Sequence, residues 1–190
     1  MTEELLYLWF GMISRMTHTV KMNVAMKYGG IRGLWNTSEE QLRDELTQAQ
    51  ADGFLEYRDA GKVVAYAEEL RRNDISYIYP GHKLYPGKLY DIPDPPMLLF
   101  AAGDVDVLAD LDPAVAVVGA RKASVYGREA ADRLSGELAA SGVTIVSGMA
   151  LGIDGMAHRA ALNVGGKTFA VLGGGADVCY PAAHKGLYND

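Results

Sequence analysis

Residues 115–121 read Val-Ala-Val-Val-Gly-Ala-Arg, an apolar run that ends on a glycine and an arginine. Residues 115–118 predict a short buried strand, because β-branched side chains without polar alternation are typical of strands covered on both faces. Two further runs of this kind occupy residues 143–146 and 168–172. The sequence therefore predicts three strands of one parallel sheet.

Helical patterns separate these strands. Residues 127–140 and 154–163 both carry small and apolar side chains at helical spacing. Strand, helix and strand in succession are typical of right-handed β-α-β crossovers. A doubly wound, Rossmann-like sheet usually has about five or six strands. The predicted fold class is therefore α/β, with a partial doubly wound parallel sheet.

The front of the chain has a different pattern. Residues 1–73 read as short amphipathic helices, which bury their apolar faces only by packing into a small all-α domain. Residues 74–114 are rich in Pro, Gly and Tyr, with strand-like runs at 75–79 and 97–100. We read this stretch as the lead-in to the second domain, which is predicted to span residues 74–190.

Composition limits the possible classes of protein. The chain has 190 residues, of which 49% are hydrophobic and 22% charged, as in a globular protein with a buried core. The single cysteine, Cys179, excludes an internal disulfide framework and favours a reducing, cytoplasmic setting. Glu3 and Glu4 stand where a secretion signal carries positive charge, and the apolar runs are too short to span a membrane.

Charge is unevenly distributed. The net charge of −6 arises within residues 1–110, whereas acidic and basic residues balance within residues 111–190. A broad basic surface of the kind that coats nucleic acid is therefore not expected. A polyanion would have to bind at a focused site, where backbone amides assist a few cations.

Three glycine-containing loops follow the predicted strands, at residues 119–121, 147–152 and 173–177. Ligands of open parallel sheets bind at the carboxyl ends of the strands, where such loops expose backbone N–H groups beside helix N-termini. Arg121 and Ser147 add side chains suited to phosphate. These loops predict an anion pocket, and the alternative is that the glycines only permit tight turns.

Other motifs argue against common nucleotide enzymes. Residues 166–168 read Gly-Lys-Thr, but they precede a strand and lack the leading glycine of a phosphate-binding P-loop. The glycine fingerprint of dinucleotide-binding proteins does not follow any predicted strand. Cysteine and histidine residues lack the spacing of metal ligands, so we expect neither a metal nor a cofactor.

Several single residues allow two interpretations. Asp154 and His158 lie one helical turn apart. They could form a general base, with the carboxylate orienting the histidine. We favour a structural role instead, in which Asp154 caps the helix and His158 is hydrogen-bonded beneath the loop. Tyr126 is suited to stacking on a nucleobase or to packing on its own domain. Cys179 is predicted to be a small buried residue, and a nucleophile is the alternative.

The motifs together resemble the DNA-processing protein A family, also called DprA or Smf. The matching segments are residues 118–121, 126–127, 147–154, 157–158, 166–168, 170–175 and 180–181, with a lead-in over residues 85–103. The resemblance implies a Rossmann-like domain behind a small SAM-like or helix-hairpin-helix-like domain. It also implies a cytoplasmic, non-enzymatic protein that protects incoming single-stranded DNA and loads the RecA recombinase during natural transformation.

The resemblance also implies which residues contact DNA. Arg121 would pair with a phosphate, the second glycine-containing loop would cradle it, and Lys122 and Lys185 would add contacts. The residues assigned to single-stranded DNA are Gly119, Ala120, Arg121, Lys122, Ser147, Gly148, Ala150, Gly152, Ile153, Asp154 and Lys185.

The sequence departs from the family pattern at three places. Ala120 replaces a common serine and Leu151 replaces a common arginine, which removes one hydroxyl and one positive charge. The sequence also ends at Asp190, before the family's Ser-Glu-Tyr and Arg-Asn-Arg segments. We therefore expect a chain truncated within the Rossmann-like domain. The family's homodimer surface is expected in the missing half, so dimerisation of this chain is left open.

Two alternatives to DNA binding remain at this point. One is a nucleotide phosphoribohydrolase of the lysine-decarboxylase-like class, which shares the sheet and a triple-glycine loop, although its Pro-Gly-Gly-x-Gly-Thr segment is absent from these residues. The other is a non-catalytic interaction module in which the front helices bind protein or duplex DNA. That module predicts that Arg121→Ala leaves binding unchanged.

Overall fold

The computed structural model describes residues 1–14, 16–109 and 111–190. The chain divides into two compact units, Met1–Gly103 and Asp104–Asp190. No helix in the described residues is long and apolar enough to cross a bilayer. The domain boundary predicted after residue 73 stays a prediction. The two compact units divide after Gly103, so the lead-in residues 74–103 belong to the first unit.

The first unit consists of six helices and a two-stranded sheet. Leu8, Trp9 and Phe10 of the first helix are fully buried and form the centre of the unit, where Trp35 meets Trp9 edge to face at 4.9 Å. The elements are α1 (Glu3–Met12), α2 (His18–Lys27), α3 (Ile31–Asn36), α4 (Glu39–Glu45), α5 (Gln48–Glu56), α6 (Ala60–Arg72), β1 (Ile75–Ile78), a 3-10 turn (Gly87–Asp91) and β2 (Leu99–Ala102).

The strand predicted over residues 97–100 differs from the observed one in bounds and in partner. Strand β2 pairs antiparallel with β1, with Ile75 opposite Ala102, instead of flanking the parallel sheet. Both strands are four residues long, and each pairs with the other along one edge inside the first unit.

The second unit is the predicted α/β unit. Its elements are a 3-10 turn (Val105–Ala109), β3 (Ala114–Ala116), α7 (Val125–Ala140), β4 (Thr144–Ser147), α8 (Ile153–Asn163), β5 (Thr168–Ala170), a 3-10 turn (Ala182–His184) and α9 (Lys185–Asn189). The strands are parallel and lie in the order β3-β4-β5. The predicted α/β class with a partial parallel sheet is therefore confirmed.

One face of this sheet is packed by helices. Helices α7 and α8 pack against each other and both contact β4. Ile145 of β4 is fully buried against Ala139 of α7 and Ala157 of α8. Val118 and Val171, which follow the outer strands, are 77% and 59% exposed. The prediction that all three strands are covered on both faces fits β4 best, since three of its four residues are buried, whereas the residues of β3 are half-buried or exposed and those of β5 are half-buried.

Candidate anion-binding site

Three loops leave the carboxyl ends of the parallel strands. The first loop comprises residues 117–124, between β3 and α7. The second loop comprises residues 148–152, between β4 and α8. The third loop comprises residues 171–177, after β5. Their placement on one edge of the sheet follows from the parallel strand order, and it is the edge at which ligands of such sheets bind.

The first and second loops touch through their backbones. The N–H of Ile153 donates to the carbonyl oxygen of Ala120 over 3.3 Å. A Cβ atom added to Gly152 would lie 2.6 Å from the Arg121 carbonyl oxygen, and Gly152 has φ +85°. A side chain at this position would be both strained and obstructed, so glycine is what allows the two loops to meet.

Ile153 also supports the first loop from below. A Cβ atom added to Gly119 would lie 2.6 Å from Cγ1 of Ile153, closer than van der Waals contact permits. The first turn of α7 lies against the same side chain, since a Cβ on Gly127 would be 3.7 Å from its Cδ1. Ile153, the first residue of α8, therefore packs against both the first loop and the first turn of α7. Its side chain supports the shape of the first loop.

The first loop exposes backbone donors beside two cations. In the described parts of the chain, the N–H groups of residues 119–123 have no hydrogen-bond acceptor. Arg121 and Lys122 are exposed and form no ion pair with any described residue. Arg128 donates to the Ala123 carbonyl oxygen over 2.8 Å and holds the loop against α7. Free N–H groups beside a helix start and two cations are suited to bind an anion.

The second loop is occupied by the chain's own carboxylate. The N–H of Gly148 donates to Oδ2 of Asp154 over 3.1 Å, and Asp154 is only 7% exposed. Asp154 stands in the first turn of α8, where a carboxylate is stabilised by the helix N-terminus. The N–H of Gly155 is bonded to the Ala150 carbonyl oxygen. Gly148 and Ile153, both predicted to contact phosphate, thus have their amides engaged by the protein, whereas the N–H groups of residues 149–152 have no acceptor among the described residues.

The Ser147 side chain is buried and bonded to the first residue of the first loop. Its hydroxyl donates to the Val117 carbonyl oxygen over 2.6 Å, and the residue is 4% exposed. The hydroxyl therefore joins the end of β4 to the residue that follows β3. Sequence reasoning gave Ser147 a phosphate contact, whereas the structure places it inside the sheet, because the strand's alternation decides which way it points.

Lys185 is not brought to the first loop by any contact among the described residues. It opens α9, and its Nζ lies 5.1 Å from the centre of the Tyr188 ring. The preceding residue, His184, bonds through Nδ1 to the Met149 carbonyl oxygen over 2.9 Å. This contact with the second loop was missed by sequence reasoning, since nothing near His184 in the sequence signals it.

His158 lies beneath the second loop and is 1% exposed. Its Nδ1 is 2.6 Å from Oγ1 of Thr168, which in turn donates to the Ile145 carbonyl oxygen, so the network places a proton on Nδ1. Burial lowers the pKa of His158 from its usual value. Because Asp154 binds Gly148 and His158 binds Thr168, these two side chains fit a structural role better than an acid–base pair.

The third loop begins beside the end of β4 and leaves two of its three glycines open. The N–H of Val171 donates to the Ser147 carbonyl oxygen over 2.8 Å, and the Tyr188 hydroxyl donates to the Ala176 carbonyl oxygen. Gly173 and Gly174 have open space where a Cβ would stand. The predicted pocket of three loops thus has one direct backbone junction, between the first and second loops. No metal-ligating cluster is found in residues 1–14, 16–109 and 111–190.

The fold and the loops define a Rossmann-like α/β unit whose first strand-to-helix turn presents free backbone N–H groups beside two exposed cations. Residues 76–190 match the family described as DNA recombination-mediator protein A. The chain belongs to this family. The resemblance drawn from the sequence motifs is thereby confirmed.

Individual relatives agree with this assignment. The DNA processing protein DprA of Bacillus subtilis is 36% identical over 141 residues, which is 73% of this chain and 46% of the relative. DprA of Streptococcus pneumoniae is 48% identical over 103 residues, covering 54% of this chain and 36% of the relative. Protein Smf of Synechocystis is 38% identical over 125 residues, and the match covers 65% of this chain and 31% of the relative. The chain thus spans less than half the length of these three relatives.

Solved structures show the same fold. The crystal structure of DprA from Streptococcus pneumoniae matches 97% of this chain and 63% of that chain, with a TM-score of 0.73 and 30% identity. A structure of DNA processing protein A from Helicobacter pylori matches 60% of this chain and 50% of that chain, with a TM-score of 0.53 and 33% identity. The Helicobacter protein is described as having a unique single-stranded DNA binding mode.

Proposed function

We propose that this chain binds the phosphate backbone of single-stranded DNA at the first loop. The observation that carries the proposal is the run of unengaged N–H groups over residues 119–123, beside the exposed cations Arg121 and Lys122. A member of a DNA recombination-mediator family has a clear use for an anion site of this kind. The relative from Helicobacter, described as binding single-stranded DNA, supports the choice of ligand.

The second loop has an indirect part in this proposal. Its amides at Gly148 and Ile153 are already bonded, and Asp154 places a negative charge beneath it. Gly152 and Ile153 then serve to hold the first loop in shape. Ser147, Ala150, Asp154 and Lys185 remain predicted DNA contacts from the resemblance, and their contribution is expected to be smaller than that of Arg121.

Wider roles follow from family membership and are proposals for the whole protein. We propose that the bound strand is protected in the cytoplasm and delivered to the RecA recombinase during recombination. We also propose that the whole protein acts as a homodimer, as the resemblance implies. Binding and delivery need no covalent step, so the proposal requires no catalytic residue or cofactor.

The test is fluorescence anisotropy of a labelled single strand of about 20 nucleotides, measured across a range of salt concentrations. Arg121→Ala should weaken binding and make the dependence of log affinity on log salt shallower by about 0.7 to 1. Lys167→Ala is the matched control, because Lys167 is exposed and precedes β5, at the opposite edge of the sheet from the loops.

Two results would overturn the proposal. One is the absence of saturable binding by the wild-type chain at low salt. The other is an equal loss of affinity for Lys167→Ala and Arg121→Ala, since this would mean that any surface cation serves and that the first loop is not the site.

A further inference from the structure

Tyr126 presents an aromatic ring to solvent beside the first loop. The residue is 79% exposed, although it stands in the first turn of the sixteen-residue helix α7. Among the described residues, no ring or cation packs on Tyr126, whereas Tyr85 and Tyr90 contact each other at 4.9 Å. Packing on its own unit, one of the two interpretations of Tyr126 from sequence, therefore does not account for this side chain.

The position of Tyr126 relates it to the proposed phosphate site. It lies two residues after Ser124, the N-cap of α7, and directly before Gly127, which packs against Ile153. Ile153 is also the residue that supports the first loop at Gly119. The helix turn that carries Tyr126 and the loop that carries Arg121 are thus fixed on one common side chain.

The chemistry of a nucleotide matches these two neighbours. Backbone N–H groups and Arg121 can hold a phosphate of either a duplex or a single strand, so they do not select between the two. An exposed aromatic ring gains a partner only from a base that is not already paired and stacked in a duplex. A flat ring next to a phosphate site therefore favours a strand with unpaired bases.

We propose that Tyr126 stacks on an unpaired base of the strand whose phosphate is held at the first loop. This inference rests on the proposed function and deepens it, because it makes Tyr126 the residue that favours single-stranded over duplex DNA. The contact is between the two ring faces, so it tolerates any base and does not require the tyrosine hydroxyl.

The experiment compares the wild-type chain, Tyr126→Ala and Tyr126→Phe on two ligands, a labelled oligothymidylate and the same backbone with abasic residues. Tyr126→Ala should weaken binding to the base-containing strand about tenfold, and Tyr126→Phe should stay within about twofold of wild type. On the abasic strand the wild type should fall to the level of Tyr126→Ala, and the mutation should have no further effect.

Val164→Ala is the matched control, because Val164 is 48% exposed and lies at the C-terminal end of α8, away from the loops. The inference fails, and the proposed function stands, if Tyr126→Ala binds oligothymidylate like wild type while Arg121→Ala does not. It also fails if Tyr126→Ala loses the same affinity on the abasic strand. Both fail if the wild-type chain does not bind. Thermal unfolding of each variant verifies that it is folded.

Discussion

The first and second loops are similar in their place in the fold and different in their contacts. Each follows a parallel strand, contains glycine and leads into a helix of more than ten residues. The first loop carries two cations beside the free N–H groups of residues 119–123, whereas the second loop carries no cation and has bonded its Gly148 N–H to Asp154. At Gly152 the absence of a side chain lets another group approach the backbone closely. In the second loop the approaching group is the first loop itself.

The two helix N-termini differ in the same way. Helix α7 has no acidic residue in its first turn, so its partial positive charge is available to a ligand. Helix α8 has Asp154 in its first turn, and the carboxylate is buried there. We therefore expect substitutions in the second loop mainly to change stability and those in the first mainly to change binding.

The largest effect is expected for Gly152→Ala. The new methyl group would overlap the carbonyl groups of the first loop, and φ of +85° is unfavourable for alanine. We expect the free energy of unfolding to fall by about 2–4 kcal/mol in urea titrations, with loss of strand binding as the first loop shifts.

Gly173→Ala is the control for that experiment. Gly173 has open space at its Cβ position and is not among the glycines with positive φ. Its substitution should change the free energy of unfolding by no more than about 0.5 kcal/mol. Equal losses in the two variants would contradict the claim that the backbone junction of the two loops requires glycine.

A smaller effect on stability is expected for Asp154→Asn. This variant separates the roles of the first and second loops most clearly. Asparagine keeps an acceptor for the Gly148 N–H but removes the charge beside the helix N-terminus. We expect stability to fall by about 1 kcal/mol, while affinity for a single strand holds or rises because one repulsive charge has gone. A loss of affinity as large as that of Arg121→Ala would place the second loop inside the DNA contact.

A further test concerns the pH dependence of stability. Burial lowers the pKa of His158 below its ordinary value of 6.5, although the charge of Asp154 acts in the opposite sense and His184 adds to the lowering. As the pH falls below 6.5, the unfolded chain takes up a proton that the folded chain does not, so stability decreases until the folded-state pKa is reached.

His158→Asn removes this titration and keeps a donor for Thr168. Urea unfolding between about pH 5 and pH 7.5 should show a stability loss of up to about 1.4 kcal/mol per pH unit in the wild type and a flatter profile in the variant. His184→Asn is the comparison variant. If its profile flattens while that of His158→Asn does not, the titrating histidine has been assigned to the wrong residue.

Much of the second unit could be predicted from its sequence. Helices predicted over residues 127–140 and 154–163 are Val125–Ala140 and Ile153–Asn163, because a long amphipathic pattern determines a helix locally. The strand ends were less predictable. The run over residues 115–118 forms a strand only at Ala114–Ala116, because the neighbouring strand decides where the ladder stops.

The placement of the three loops was predictable, but the contacts within them were not. Parallel topology indicated which loops converge, and Arg121 follows from its place after the first strand. The orientation of Ser147 depends on the register between β3 and β4, and the contact of His184 with Met149 joins distant parts of the chain. Neither contact is indicated by the sequence around the residues that make it. The pairing of β1 with β2 was missed for the same reason.

The central claim, that the first loop and not the second receives the phosphate, is tested most directly by amide chemical shifts. The measurement is a titration of the ¹⁵N-labelled chain with a short oligothymidylate, followed by two-dimensional NMR. We expect the largest shifts at the amides of residues 119–123, with small ones at Gly148 and Ile153, whose N–H groups are already bonded. Large shifts at Gly148 and Ile153 with unmoved amides over residues 119–123 would contradict the claim.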